Sequence, residues 1–501
     1  MINIRAGTVA IIGAGPSGLV AAKYFCAETA FDQIVVYEQR SSSGGIWNYT
    51  PDDRDEDLFT IPRTKPFMNN QTPVWREIDS SGLNGHHVNG ENGAKKVASF
   101  LSPIYEKLET NIPRGLMGFQ DLDWPQDSQL FPRHGTVLEY IQEYGKDVQD
   151  LIQYETQVAN VTAADDTPTG GWTVTSRNLH SPNEYHDSHF DAVVVANGHF
   201  IVPYIPDIPF IKEWGHRYPG TITHSKYFRR AEDFAGKKVV VVGNSASGID
   251  ISSQIAAVCA QPLLWSSKSV SMFKPAQDPR KRDLPPIESL IPAIRGVSFE
   301  GGTIEHDVDA IVFATGYFYS LPFLRNVKPA LIGDGSHVEN TYQHLFYAPR
   351  PTLSLLALNQ RVIPFPIAEA QSSVLARVYA GRLSLPPYTE MKKWEEETLA
   401  GTKVPKDFHL LPFPKDGNYI NQLSNWALSA ERTGGLANDG KGKLPPIWGD
   451  WEFWCRENFP AIRAAFGARG EGRREIRSLE ELGFVYEEYS KKQKGEEGKL
   501  I

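Results

Sequence analysis

The chain is poor in cysteine. The three it has, Cys26, Cys259 and Cys455, lie far apart and form no C-x-x-C. That spacing excludes a dithiol–disulfide relay or a disulfide framework, and it points to a reducing, cytoplasmic setting. Long apolar runs are absent too: no stretch of about 18 residues is free of charge, so no transmembrane helix is expected. The N-terminus runs almost directly into an apolar strand, leaving no room for a signal peptide. Positive charge is not in excess. Lys and Arg number 51 against 60 Asp and Glu, a net charge of −9, which argues against a nucleic-acid partner or an anionic membrane surface. H-E-x-x-H, a Ser-His-Asp set and a closely spaced carboxylate pair are all missing, so neither a metal site nor a hydrolytic centre is expected.

What is present is glycine in two particular places. Residues 9–18 read Val-Ala-Ile-Ile-Gly-Ala-Gly-Pro-Ser-Gly, and residues 239–248 read Val-Val-Val-Val-Gly-Asn-Ser-Ala-Ser-Gly. In each, a run rich in β-branched residues predicts a buried strand, and the glycines open a helix. One such motif is weak evidence. Two predict two pyrophosphates held at two helix N-termini, by Gly13, Gly15, Pro16, Ser17 and Gly18 in the first and Gly243, Asn244, Ser245, Ser247 and Gly248 in the second. Ser245 stands where the pattern has its middle glycine; serine is small enough for a pyrophosphate still to approach.

The ribose positions differ. Glu38 ends the strand after the first loop and lies 20 residues beyond Gly18. A carboxylate there accepts from ribose hydroxyls and repels a 2′-phosphate, which suits FAD or NAD. The matching end of the second unit is Ser266-Ser267-Lys268, two hydroxyls and a cation, which suits the 2′-phosphate of NADP. The expected fold is α/β, with two Rossmann-like dinucleotide-binding domains.

With 501 residues, 41% of them hydrophobic, the chain has material for two or three domains. Residues 79–96, rich in Gly, Asn, Ser and His, read as a surface loop. Residues 136–147 predict a helix and 170–195 a small meander. Pro203, Pro206 and Pro209 make a stiff connection. The expected division is 1–212 as the first part of an FAD domain, 213–328 as an inserted NADP domain, and 329–501 as the remainder of the FAD domain with a C-terminal extension. Trp394, Trp426, Trp448, Trp451 and Trp454 read as packing for that extension. The charged tail, 491–499, reads as unstructured.

The segment 218–229, Tyr-Pro-Gly-Thr-Ile-Thr-His-Ser-Lys-Tyr-Phe-Arg, resembles the fingerprint F-x-G-x-x-x-H-x-x-x-[Y/F]-[K/R] of the flavin-containing monooxygenases, with Tyr218 in place of Phe. Gly44-Gly45-Ile46-Trp47, Thr110-Asn111-Ile112-Pro113, Ala314-Thr315-Gly316-Tyr317 and Phe365-Pro366 … Glu369 … Gln371 match in the same order. The resemblance implies FAD at the first loop and NADPH at the second. It places Gln39, Gly45, Trp47, Thr110, Val158, Gly198, Gly316 and Gln371 at the cofactors. It makes Gly220, His224, Ser225, Phe228 and Arg229 the fingerprint, with His224 linked to domain closure, and Arg229 either an ion-pair residue between domains or a phosphate contact. Asn111 becomes the active-site amide.

The activity implied is a monooxygenation. NADPH reduces the flavin, O₂ forms a C4a-hydroperoxyflavin, and a small nucleophilic substrate, an amine nitrogen or a sulfur, takes the distal oxygen. Association as a homodimer or higher oligomer is common in the family. A Baeyer–Villiger enzyme acting on ketones shares this plan but resembles a fingerprint ending in Trp, and this one ends Phe228-Arg229. An NADPH oxidase that releases peroxide, and a non-catalytic NADPH-binding protein, stay open as alternatives.

Overall fold

In a computed structural model, residues 1–51, 71–78, 95–269, 271 and 277–497 are described; most of the 79–96 loop lies outside them. Strand β1 (Thr8–Ile12) is buried along nearly its whole length, because valine and isoleucine suit a pleated surface covered on both faces. It leads into helix α1 (Pro16–Glu28), with Pro16 in the first turn, where its missing N–H costs nothing. Strand β2 (Gln33–Tyr37) pairs parallel with one edge of β1, and β3 (Ala192–Val195) pairs parallel with the other. The sheet extends beyond β3 through Leu353–Leu355 and a hairpin, and beyond β2 through Ile152–Gln153.

The second unit repeats the plan. Strand β4 (Val239–Val242) leads into α2 (Ala246–Ile255) and lies between β5 (Leu263–Ser266) and β6 (Ala310–Phe313), both parallel to it. In both sheets the strand preceding the glycine loop has a neighbour on each side, so the chain leaves its carboxyl end at a reversal of strand order. That crevice is where open α/β sheets take their ligands.

A short antiparallel pair, Val202–Pro203 with Tyr317–Phe318, joins the units at the two crossings. The boundaries differ from 213 and 328. Ile205, Ile208 and Ile211 already belong to the core of the second unit, whereas Tyr319, Leu321, Phe323, Leu324 and Val327 have returned to a core of the first. Apolar side chains on either side of the neck pack onto the nearer sheet, which local sequence does not reveal.

The remaining expectations fare unevenly. The helix expected at 136–147 starts two residues earlier, at His134–Tyr144, and a 3₁₀ turn follows. The meander begins earlier, with Thr156–Ala163 pairing Trp172–Asn178 and then His186–Phe190. Lys95 and Lys96, the end of the expected loop, lie in the strand Lys95–Ser99. The charged tail is helical from Tyr486 to Glu497 rather than unstructured. Trp448 and Trp454 are buried in the main core, and Trp426 and Trp451 pack against it. Trp394 instead meets Tyr342, His344 and Phe408 edge-on.

Helix α3 (Pro364–Tyr379) runs through that core, with every residue from Phe365 onward buried. It carries Glu369, fully enclosed, whose carboxylate accepts from Gln120 N at 3.1 Å. Burial raises its pKa to about 8, against a partial offset from Lys443. The native state therefore keeps a proton between about 4.5 and about 8 that the unfolded chain releases. Its contribution to stability is complete at the acid end of that window and is lost as pH rises through it, at up to about 1.4 kcal/mol per pH unit. Glu369→Gln removes the titration. Thermal unfolding of the two proteins should diverge steadily in favour of the variant as pH rises across the window; a difference independent of pH contradicts this.

Candidate dinucleotide and oxygenation site

The two glycine loops agree in atomic detail. Gly13 has φ +108° and Gly243 φ +114°, a region other residues rarely adopt. A β-carbon on Gly13 would lie 2.6 Å from the Ala196 carbonyl oxygen, and one on Gly243 would lie 2.4 Å from that of Ala314. On Gly18 it would meet Gly13 O at 1.9 Å, and on Gly248 it would meet Gly243 O at 2.2 Å. These glycines bring strand, helix and neighbouring strand into contact and leave the N–H groups of the helix N-terminus open to a phosphate. Ser245 has φ −85°, ψ −172°, close to the −73°, −177° of Gly15, so the serine costs no strain. Ser17 and Ser247 hold the second position of each helix, and neither hydroxyl is bonded within the described residues. This local geometry fits two dinucleotides.

Around the first loop, Gly44 N donates to Ala14 O at 2.9 Å. A β-carbon on Gly45 would lie 3.0 Å from Gly15 Cα, so the Gly44–Trp47 turn sits directly on the loop, with Trp47 half-buried against the core. Glu38 is buried at the end of β2, accepting from Ala14 N and Arg40 N, each at 2.8 Å. Burial raises its pKa and the Arg40 guanidinium opposes the rise. Arg40, which sequence reasoning did not single out, also donates to the carbonyls of Gly45 and Phe100. Gln39 is tied into an amide cluster with Gln71 and Gln157.

Several expected contacts take other roles. Gln371 is fully buried, accepting from Ala357 N and donating to Asn359 Oδ1 and the Tyr419 hydroxyl. Both its N–H groups are spent, so it shapes the turn before α3 instead of offering a donor to a cofactor. The side chain of Val158 lies in the core, and the residue pairs with Ser176 in the meander. Thr110 donates its hydroxyl to Ile112 O and so holds its own turn. Ser266 is buried and donates to Pro285 O; Lys268 is exposed beside a half-buried Ser267. Asn244 donates its side-chain amide to Ser269 O, and its own carbonyl accepts from Ser271. Gly198 and Gly316, at φ +71° and +87°, mark the crossings.

Two orphaned polar atoms stand at the carboxyl edge of the first sheet. Asn359 Nδ2 and His199 Nε2 are enclosed without a hydrogen-bond partner among the described residues. A buried polar atom left unpaired is costly, which makes both candidate ligands for a cofactor there. Neither had a sequence signal.

The fingerprint is structural. His224 is fully buried; Nδ1 accepts from Lys226 N, so Nε2 carries the proton and donates to Gly316 O at 3.0 Å. Burial lowers its pKa to about 3. It ties the fingerprint to the crossing and stays neutral near pH 7, with its one ring proton spent on Gly316 O. Gly220 turns the chain at φ +77°, Ser225 opens the 3₁₀ turn, and Phe228 packs in the core of the second unit. Arg229 is neither exposed nor free for a phosphate. It is buried and donates to the carbonyls of Ser102, Ile104, Lys226 and Phe228.

Ser102 in turn donates to Ile46 O, in the turn beside the first loop. Segment 102–110 is thus gripped by both units, and Asn111 follows it. Asn111 is half-buried, and its side-chain amide makes no hydrogen bond within the described residues.

The flavin-binding monooxygenase-like family model matches residues 79–275 and 293–428, and an NAD(P)-binding Rossmann-like model matches 11–76. The chain belongs to the flavin-containing monooxygenase family. It is a monooxygenase, and FAD and NADPH are its cofactors. It is 34% identical over 436 residues to flavin-containing monooxygenase FMO GS-OX-like 2 of Arabidopsis thaliana, covering 83% of this chain and 84% of that protein. Among solved structures it resembles the S-allyl-L-cysteine S-oxygenase of Allium sativum, at 28% identity and a TM-score of 0.72, over 96% and 98% of the two chains. Cyclohexanone monooxygenase, at 14% identity and a TM-score of 0.52 over 84% and 97%, shares the fold. Among the described residues of this monooxygenase, no helix is long and apolar enough to cross a membrane.

Proposed function

We propose that this monooxygenase binds FAD at the first loop and NADPH at the second, and transfers one atom of O₂ to a soft nucleophile of a small molecule, sulfur ahead of amine nitrogen. The reading is carried by the half-buried Asn111 amide, unbonded among the described residues, at the end of a segment held by both dinucleotide units. Likeness to an S-oxygenase supports sulfur, and a fingerprint ending Phe228-Arg229 supports nitrogen or sulfur over a ketone.

The overall balance is sulfide, O₂, NADPH and a proton giving sulfoxide, water and NADP⁺. FAD, when bound, supplies the two-electron chemistry with dioxygen. The protein's own part is positional. The Gly13 and Gly243 loops present helix N-termini to the two pyrophosphates. Glu38 discriminates against a 2′-phosphate at the first site, and Lys268 favours one at the second. Asn111 can donate and accept without acquiring charge and would orient the reacting groups, while His224, neutral and bonded to Gly316 O, fixes the crossing. The three free cysteines suit a cytoplasmic enzyme.

Lys268→Ala should weaken NADPH about 10- to 100-fold, the cost of one charge-assisted contact, and leave NADH within about twofold. Steady-state KM values for both nucleotides decide this, and an equal loss for both removes the 2′-phosphate assignment. The function itself is tested by incubating the enzyme with NADPH and dialkyl sulfides, amines and ketones separately. Sulfoxide as the main product supports the proposal; ester from ketones, with no sulfoxide or N-oxide, overturns it.

A further inference from the structure

Segment 102–109 belongs in sequence to the first unit, yet Tyr105 and Leu108 pack into the core of the second, with Phe228, Ile251 and Ile255. The ring of Tyr105 stands edge-on to Phe228 at 5.2 Å. Its hydroxyl donates to Asp250, which lies two residues beyond Gly248, just past the first turn of α2, and also accepts from Gln254 at 2.9 Å. The backbone of the segment is bonded to the fingerprint: Glu106 N donates to Arg229 O at 3.1 Å, and Arg229 grips the carbonyls of Ser102 and Ile104. The far end is fixed to the first unit, where Thr110 N donates to Pro132 O at 2.9 Å and His134 N donates to Leu108 O.

We propose that Tyr105 is a positioning residue that couples occupancy of the second nucleotide loop to the placement of Asn111. Asp250 is a buried carboxyl group one turn behind the helix N-terminus that would receive the pyrophosphate. Adding phosphate charge nearby raises the cost of charge on the Asp250 carboxyl, and the Tyr105 hydroxyl, beside the Gln254 amide, is a donor that offsets it. The hydrogen bond tightens when the dinucleotide binds, drawing on a segment whose next residue after its second anchor is Asn111. By linkage, the tightened segment favours the bound dinucleotide in return. The enzyme would thereby hold Asn111 in place only while the nicotinamide nucleotide is present. The inference rests on reading the second loop as the NADPH site.

Hydrogen exchange of the FAD-loaded enzyme, with and without saturating NADP⁺, tests it. In the wild type, NADP⁺ should slow exchange about tenfold both in a peptide spanning 243–250 and in one spanning 104–112. In Tyr105→Phe, which removes a single hydroxyl, the 243–250 peptide should be protected as before and the 104–112 peptide should change less than about twofold. Asp250→Asn keeps an oxygen acceptor for Tyr105 but removes the charge, and it should likewise cut the NADP⁺ effect on 104–112 to less than about twofold while leaving 243–250 protected. Equal protection of 104–112 in the wild type and Tyr105→Phe overturns the inference, as does its absence in the wild type while 243–250 is protected. Absence of protection at 243–250 in the wild type overturns the reading of the second loop instead.

Discussion

Asn111→Leu should purify with FAD bound and consume NADPH, yet return most of the reducing equivalents as hydrogen peroxide. Leucine is close to asparagine in size but has neither donor nor acceptor, so the turn survives. That turn is held by Thr110 through its hydroxyl bond to Ile112 O and its N–H bond to Pro132 O, not by the Asn111 side chain. What disappears is a neutral amide with no partner among the described residues. An amide positioned for a charge-bearing centre is commonly worth about a hundredfold in rate, and product formation should fall by about that factor. Peroxide and sulfoxide measured against NADPH consumed decide the matter. Normal coupling in the variant clears Asn111 of the role.

The second large effect separates the two loops. Gly18→Ala should give a colourless protein, and Gly248→Ala a yellow one with NADPH affinity at least about a hundredfold lower. In both cases the added β-carbon meets backbone, not a movable side chain. It would lie 1.9 Å from Gly13 O in the first loop, and 2.2 Å from Gly243 O and 2.7 Å from Gly243 C in the second. Relief requires the helix N-terminus to withdraw from the strand, which removes the N–H groups from the phosphate; losing two or three charge-assisted bonds of roughly 1.5–3 kcal/mol each accounts for the size. Absorbance of bound flavin and NADP⁺ titration calorimetry read the two outcomes. A yellow Gly18→Ala and a colourless Gly248→Ala would reverse the assignment of the cofactors.

Both nucleotide loops were legible in the sequence because strand, turn and helix are set by adjacent residues, and only glycine fits at Gly13 and Gly243. Glu38 was legible as well, since its place follows from the length of one helix and one strand. Arg229 was not. Its burial depends on carbonyls at Ser102 and Ile104, more than 120 positions away, and an arginine read in isolation looks exposed. Ser266 and Gln371 misled for a similar reason: their residue types suit a cofactor, but Pro285 O in one case and Ala357 N, Asn359 and Tyr419 in the other occupy them first. Asn359 and His199 became visible only once the fold left their nitrogens unpaired. The division between units was misplaced because isoleucines and aromatics flanking the neck carry no mark of which sheet they will cover.

These features describe a protein whose chemistry comes from its cofactors and whose own contribution is placement. The ionisable groups nearest the crossing fit this. His224 and His199 are held neutral by burial, with pKa values lowered to about 3 and about 4, so neither serves as a proton carrier near neutral pH.

The most direct test of the account is to supply a dialkyl sulfide, NADPH and isotopically heavy dioxygen to the FAD-loaded enzyme and weigh the product. The account predicts a sulfoxide carrying one heavy oxygen atom, formed in near-equal amount to the NADPH consumed. Unchanged sulfide, with all the NADPH recovered as heavy hydrogen peroxide across sulfides and amines alike, would contradict it and leave an oxidase.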